Sequence, residues 1–194
     1  MGESARYPSF VDELPTTRRA LEFATARHRG QWRHADHAPF ILHPLEVAHL
    51  LRGRGYPDHV VAAGVLHDVI EDAHVEFDEL RRHFGSEVAE LVRDVSEPPG
   101  GGSYPERKER LRDAVDRASA DAAAVFAADK VAKARELRLD LVRRRAGSPR
   151  RADPEKLEHY WASLALLEHR LGHHHPFVRQ LRFELEALEL LPPE

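Results

Sequence analysis

The chain carries the run AAGVLHDVIED at residues 62–72, and this stretch decides the fold that the sequence predicts. Most of its side chains are apolar, as in a buried helix, yet it contains His67, Asp68, Glu71 and Asp72. Burying an unpaired charge costs on the order of several kcal/mol, so these groups need a partner. A divalent cation would satisfy them. The run therefore predicts an apolar helix at a metal site, and with it a metal-dependent hydrolase.

The spacing of the four polar residues suggests two roles. On a continuous helix, residues four apart share a face, so His67 aligns with Glu71 and Asp68 aligns with Asp72. His67 and Asp68 can then reach one cation from neighbouring positions. Glu71 and Asp72 follow about one turn later, where they can contact water or substrate beside that cation.

Two further metal ligands are predicted from other parts of the chain. His43 lies at a helix start in PFILHPLEVA (39–48), and Asp129 lies within the apolar stretch VFAADKV (125–131). Each has a simpler alternative to metal binding. His43 could be just a helix cap, and Asp129 could be just the partner of a nearby lysine or arginine. Ligation by histidine and carboxylate suits Mn, Fe, Zn or Mg better than Ca. The other histidines, including the triplet at 173–175 in a predicted turn, receive no role.

Composition restricts the class of protein. A length of 194 residues corresponds to about one domain and can bury a substantial core. The net charge of -4 argues against a general nucleic-acid binder, and the absence of cysteine leaves histidine and carboxylate as metal ligands. No apolar run has the length of a membrane span, and residues 1–14 are polar and acidic, unlike a signal peptide. We expect a cytoplasmic protein without nucleic-acid or membrane partners.

Helical periodicity runs through nearly the whole sequence, and no convincing alternating strand is present. The predicted fold class is therefore all-α. Thr16 and Thr17 are expected to cap the first helix, and Pro44 is expected at the first position of the second. The predicted helices cover residues 16–27, 43–52, 58–73, 76–83, 87–95, 105–117, 120–145, 154–171 and 176–190.

Several motifs together resemble the HD-domain phosphohydrolases, whose order of His, then His-Asp, then a distant Asp is met by His43, His67-Asp68 and Asp129. The closer resemblance is to the hydrolase domain of RelA/SpoT-type alarmone enzymes, particularly the small stand-alone alarmone hydrolases. It covers about residues 18–190, so residues 1–194 are expected to form a single HD-type hydrolase domain. The motifs that carry it are GQWR (30–33), PFILHP (39–44), LHDVIED (66–72), FG (84–85), ADK (128–130) and EHY (158–160).

The resemblance implies an all-helical HD-domain bundle that binds Mn²⁺, or another divalent cation. It also implies removal of the 3′-pyrophosphate of guanosine tetraphosphate and pentaphosphate, the alarmones of the stringent response. Carried over by motif, the metal ligands are His43, His67, Asp68 and Asp129, the catalytic acids Glu71 and Asp72, and the nucleotide contacts Arg33 and Tyr160.

Positive charge beyond the metal is needed for a substrate with several phosphates. Lys130 and Lys133 are predicted to supply it, because lysine and arginine are the usual partners of phosphate. Arg107 and Lys108 are also available, but a solvated helix face is the favoured interpretation for both.

Two departures from the family pattern concern substrate recognition and leave metal ligation untouched. Lys133 stands where the family has an asparagine one turn after the metal-binding aspartate, and the stretch between Arg33 and Pro39 lacks the usual glycine. Two alternatives therefore stay open: another nucleotide phosphohydrolase or phosphatase on the same scaffold, and a non-catalytic alarmone-binding regulator. The complete set of metal and acid residues argues against the second.

Overall fold

The apolar run at the centre of the sequence forms a helix whose residues 60–66 are all buried. It belongs to a computed structural model that describes residues 7–33, 35–143 and 152–190. Within those ranges there is no strand, only an isolated bridge between Trp32 and Pro39, so the all-α prediction is confirmed. A 3-10 turn, Ser9–Glu13, precedes the helices α1 Pro15–Arg27, α2 Leu42–Arg52, α3 Asp58–Leu66, α4 Val69–Ala73, α5 Phe77–Val95, α6 Tyr104–Arg117, α7 Ala120–Arg143, α8 Pro154–Leu171 and α9 Pro176–Glu189.

Two helices form the centre of the bundle. α3 packs against α1, α2, α5 and α7, while α7 packs against α2, α3, α5, α6, α8 and α9. Many of the buried side chains of α7 are alanines, which lets neighbouring helices approach closely in a densely packed interior. Asp129 and Lys130 are also buried on α7. This central helix therefore brings charged groups into the interior.

The helix expected over residues 58–73 is interrupted, so that prediction is wrong. α3 ends at Leu66 and α4 begins at Val69, with His67 and Asp68 in the turn between them. The Nδ1 atom of His67 donates to the carbonyl of Gly64 at 2.8 Å, and a side chain that takes a backbone carbonyl competes with the helix ladder. The facial alignment drawn from a continuous helix is therefore wrong as well, because the two residues project from a junction.

The N-terminus of α1 is capped by a residue from another helix. Thr16 and Thr17 were expected to cap it, but both lie inside its first turn. Their backbone N–H groups each donate to the carboxylate of Asp58 at 2.8 Å, and the Thr17 hydroxyl donates to it at 2.7 Å. Asp58 thereby ties α1 to the start of α3.

The remaining boundaries differ from the prediction mainly at breaks. The two helices expected over 76–83 and 87–95 lie within α5 on either side of Gly85, whose non-helical backbone, with a φ of 84° that favours glycine, supplies the predicted break. α2 begins at Leu42, two residues before Pro44. α8 matches its predicted bounds, and the predicted end of α7 at residue 145 lies outside the described residues.

Candidate metal centre and cavity

Three helices bring His43, His67 and Asp129 to one buried point. His43 comes from α2, His67 follows α3, and Asp129 comes from α7; their ligand atoms all lie within 4.8 Å of one another. The Nε2 atom of His43 is 3.2 Å from the Nε2 atom of His67 and 3.1 Å from Oδ1 of Asp129. The Nδ1–H of His67 is used by Gly64, which leaves Nε2 with its lone pair free to bind a metal.

Asp68 completes the group of predicted metal ligands. Its Oδ2 atom lies 3.0 Å from Nε2 of His67 and 3.4 Å from Nε2 of His43. This oxygen is buried and has no hydrogen-bond partner among the described residues. An orphaned carboxylate oxygen beside two imidazole nitrogens fits a divalent cation, which would satisfy all of them at once. The group His43, His67, Asp68 and Asp129 is called the donor group below.

Two lysines lie against the carboxylates of the donor group. Lys130 Nζ is 2.7 Å from Oδ2 of Asp129, and Lys133 Nζ is 3.0 Å from its Oδ1. Lys133 Nζ also lies 3.4 Å from Oδ1 of Asp68. Burial raises the pKa of Asp129, but the two lysines and the two imidazoles outweigh it and hold that pKa well below its usual value. The carboxylate is therefore ionised, as a metal ligand must be.

The two predicted catalytic acids take different positions. Asp72 lines the large cavity described next, whereas Glu71 is not among its lining residues. The Glu71 carboxylate instead accepts a hydrogen bond of 2.7 Å from the backbone N–H of Glu97. Burial raises the pKa of both carboxyl groups, and the nearby charge of Asp68 adds to the increase.

A cavity of about 770 Å³ opens beside the donor group, within the size range of small-molecule sites. Its lining combines cations and aromatic rings, a pairing that suits a phosphorylated nucleotide. The charged and polar lining residues include Arg33, His43, Asp72, Lys108, Lys130, Lys133, Lys156 and His159, and the aromatic ones are Trp32, Phe40, Tyr104 and Tyr160.

All four predicted substrate contacts line this cavity. Arg33 belongs to a tight loop in which its backbone N–H donates to Ala38 O, and its Nε lies 3.3 Å from Glu136. Tyr160 is almost fully buried, and this burial raises the pKa of its hydroxyl. Lys130 and Lys133 extend from α7 between the cavity and the donor group.

Sequence reasoning missed several residues of the cavity. Lys108 was interpreted as part of a solvated face, but it lines the cavity and pairs with Glu97 at 2.5 Å, so that interpretation is wrong for this residue. His159 was given no role, yet it is buried in the cavity wall. Trp32, 61% exposed, stands on the same wall. Trp32 lies within GQWR and His159 within EHY, two motifs quoted above, so the sequence held a signal for both. Lys108 belongs to neither motif and reaches the cavity through the packing of α6.

Comparison with known proteins identifies the family. The model of the HD domain matches residues 20–166, which is most of the chain. The chain belongs to the HD-domain family. The predicted family is confirmed.

Curated relatives match a little under half of this chain. A probable GTP diphosphokinase of rice chloroplasts is 43% identical over 95 residues, which are 49% of this chain and 13% of the relative. A guanosine-3′,5′-bis(diphosphate) 3′-pyrophosphohydrolase of Aquifex aeolicus is 36% identical over 92 residues, 47% of this chain and 13% of the relative. The corresponding Vibrio cholerae enzyme is 40% identical over 84 residues, 43% of this chain and 12% of the relative. The chain thus spans a small part of these proteins.

Two solved structures match over far more of their length. A metazoan ortholog of SpoT, which hydrolyses ppGpp and plays a role in starvation responses, superposes with a TM-score of 0.69 at 25% identity. The match covers 95% of this chain and 96% of that one. A Listeria monocytogenes protein superposes with a TM-score of 0.65 at 26% identity, over 74% of this chain and 96% of that one.

Among the described residues of the HD domain, no helix is both long and apolar enough to cross a membrane.

Proposed function

We propose that the protein is a metal-dependent pyrophosphohydrolase that removes the 3′-pyrophosphate of ppGpp and pppGpp. The observation that carries the proposal is the donor group beside a cavity lined with cations and aromatic rings. The likeness to a ppGpp-hydrolysing SpoT ortholog over nearly the whole of both chains supports the same substrate. So does the name of the Aquifex relative.

The donor group is proposed to hold one divalent cation, which we infer to be Mn²⁺. The orphaned Oδ2 of Asp68 and the freed Nε2 of His67 support a cation between them. Histidine and carboxylate ligands suit manganese among other divalent metals. When bound, such a cation lowers the pKa of water and polarises a phosphoryl oxygen.

Two carboxylates of α4 are proposed as the catalytic acids. Asp72 lines the cavity and is assigned to take a proton from the attacking water. Its raised pKa moves it toward the range in which a carboxylate is an effective general base. Glu71 is the second proposed catalytic group, and the N–H of Glu97 fixes the orientation of its carboxylate.

Cationic residues of the cavity are proposed to bind the phosphates. Lys130 and Lys133 project from α7 and Lys108 from α6, so that positive charge reaches the cavity from two helices. Arg33 and Tyr160 are proposed to contact the nucleotide. We also infer that the chain forms a single domain, acts in the cytoplasm on a small-molecule nucleotide, and binds neither nucleic acid nor membranes.

The test is a panel of nucleotides assayed for release of pyrophosphate and of phosphate, with Mn²⁺ added and with metal removed by a chelator. We expect pyrophosphate, released only with metal and only from ppGpp and pppGpp. His67→Ala and Asp68→Asn should lose both bound metal and activity. His169→Ala, at an exposed position of α8, is the matched control and should behave as wild type. Full activity and full metal content in His67→Ala would refute the assignment.

A second candidate function is favoured by Lys133. A lysine ammonium in contact with both metal-binding carboxylates changes the charge at the point where the family has a neutral asparagine. Another phosphorylated nucleotide could be the substrate. Phosphate released from other nucleotides in the same panel would select this candidate. Binding of ppGpp without turnover would select a regulator instead.

A further inference from the structure

His159 is a buried histidine in the wall of the cavity, outside the donor group. It lies on α8 and is 4% exposed. Its Nδ1 atom is 2.8 Å from Nη1 of Arg112, which projects from α6. A guanidinium group only donates hydrogen bonds, so Nδ1 of His159 must accept. A neutral imidazole that accepts at Nδ1 carries its proton at Nε2.

The charges around His159 keep its ring neutral. Burial and the neighbouring Lys130, Lys108 and Arg112 lower the pKa of His159 to about 2, because protonation would add a further positive charge to a buried group of cations. The hydroxyl of Ser163 does not change the tautomer. It lies 3.5 Å from Nδ1 and donates to the carbonyl of His159 at 2.7 Å.

Among the residues that the structure describes, the proton at Nε2 of His159 has no partner. The Nε2 atom is buried and makes no hydrogen bond within the described part of the chain. Buried hydrogen-bond donors are nearly always paired with an acceptor. An unpaired Nε2–H on an imidazole whose tautomer is fixed therefore indicates an acceptor that a bound ligand supplies. The two nitrogens of an imidazole point in diverging directions. Since Nδ1 faces Arg112, Nε2 points away from that guanidinium, on a residue that lines the cavity together with Lys108 and Lys130.

We propose that His159 binds the substrate by donating its Nε2–H to a phosphoryl oxygen, and that Arg112 is a positioning residue that fixes the tautomer. An anionic oxygen is the fitting acceptor because the adjacent lining groups, Lys108 and Lys130, are cations. The inference deepens the proposed function and rests on it only for the identity of the ligand. The arrangement of Arg112 and His159 stands without it.

Inorganic pyrophosphate is the probe, because it presents phosphoryl oxygens and requires no turnover. Binding is measured by calorimetry with the full chain, and the histidine tautomers are measured by ¹⁵N NMR of the imidazole nitrogens. His159→Phe keeps a ring and removes both nitrogens, and it also assigns the NMR signal. We expect it to weaken pyrophosphate binding about tenfold, the effect of losing a hydrogen bond to a charged group. His159→Gln retains an N–H donor and should recover part of the affinity. His169→Phe, at an exposed position of the same helix, should bind as wild type.

The NMR measurement separates positioning from a purely structural role. In wild type we expect the His159 proton on Nε2, with its signal shifting as pyrophosphate is added. In Arg112→Gln we expect a mixture of tautomers and reduced affinity. A proton on Nδ1 in wild type, an unchanged tautomer in Arg112→Gln, or wild-type binding by His159→Phe would each overturn the inference. If pyrophosphate shifts the His159 signal but ppGpp is not hydrolysed, the proposed function fails while this inference stands. If His159→Phe does not fold, the wild-type tautomer and His159→Gln still decide.

Discussion

Replacing Gly64 with alanine tests how packing between α2 and α3 supports the donor group. Gly64 is buried on α3 against α2. A Cβ atom at this position would lie 2.4 Å from Cδ1 of Leu51 and 3.3 Å from Cγ1 of Val47. Leu51 is fully buried, so its side chain has no open space into which it can turn. We therefore expect the two helices to move apart.

The sign of the change in the free energy of unfolding of Gly64→Ala shows whether packing or helix propensity has the larger effect. Alanine is favoured over glycine inside a helix by about 1 kcal/mol, which alone would stabilise the variant. Overpacking a dense core costs about 1–3 kcal/mol, and a contact as short as that to Leu51 belongs in the upper part of this range. We expect the free energy of unfolding of Gly64→Ala to fall by about 1–2 kcal/mol.

The same displacement should reach the metal ligands. The carbonyl of Gly64 holds Nδ1 of His67 at 2.8 Å, and His43 lies on the facing helix α2. Moving α3 away from α2 separates the two imidazoles, whose Nε2 atoms are 3.2 Å apart. We expect the affinity for Mn²⁺ to fall about tenfold, equivalent to about 1.4 kcal/mol.

Denaturant unfolding followed by circular dichroism, with a chelator present, measures the stability, and calorimetric titration with Mn²⁺ measures the affinity. Gly101→Ala is the matched control, because a Cβ there meets nothing within 4 Å. Leu51→Ala combined with Gly64→Ala should cost less than the sum of the two single changes, because they share one contact. An increase in stability for Gly64→Ala, or strict additivity of the pair, would refute the reasoning.

Three further predictions concern single charged groups. Asp58→Ala removes the carboxylate that caps α1 and should lower the free energy of unfolding by about 1–2 kcal/mol. Burial raises the pKa of Asp58, but its hydrogen bonds lower it more. The stability that Asp58 contributes should therefore be fully present above the pKa that its carboxyl group has in the unfolded chain, and be lost as pH falls through its lower pKa in the folded protein. Wild-type-like acid unfolding of the variant would contradict this. Lys133→Asn removes the ammonium that contacts Asp68 and Asp129 and should tighten Mn²⁺ binding severalfold by calorimetry, whereas weaker binding would contradict it. Asp72→Asn should remove the acidic limb of the pH–activity profile. In wild type this limb should lie above the usual pKa of an aspartate, because burial raises the pKa of Asp72. A variant profile that keeps the limb would assign it to another group.

The sequence was sufficient to predict the positions that meet at the donor group. Polar residues inside apolar helices are costly to bury, and that single consideration picked out Asp129 and the His67-Asp68 pair before any geometry was known. Helix bounds set by proline and caps were equally readable, as α8 illustrates. The roles of these residues in binding metal and substrate remain predictions.

Other features depend on contacts between distant parts of the chain and leave no local pattern. The break at His67 arises because its imidazole takes the carbonyl of Gly64, which helical periodicity does not record. Asp58 caps a helix that begins more than 40 residues earlier in the chain. His159 obtains its fixed tautomer from Arg112, 47 residues away. The contact between Arg112 and His159 forms only when α6 and α8 are packed together.

The central position of α7 limits which changes in length the protein can accept. Asp129 is set by the helical register counted from Ala120, and one inserted residue in between would turn it by about 100° and shift it by about 1.5 Å. His43 and His67 would then lose their contact with Asp129, and other residues of α7 would replace those that are now buried at its interfaces. The exposed segment at residues 99–103 carries no such constraint. Natural insertions and deletions in relatives of this chain should therefore accumulate before α6 and be absent from the first half of α7.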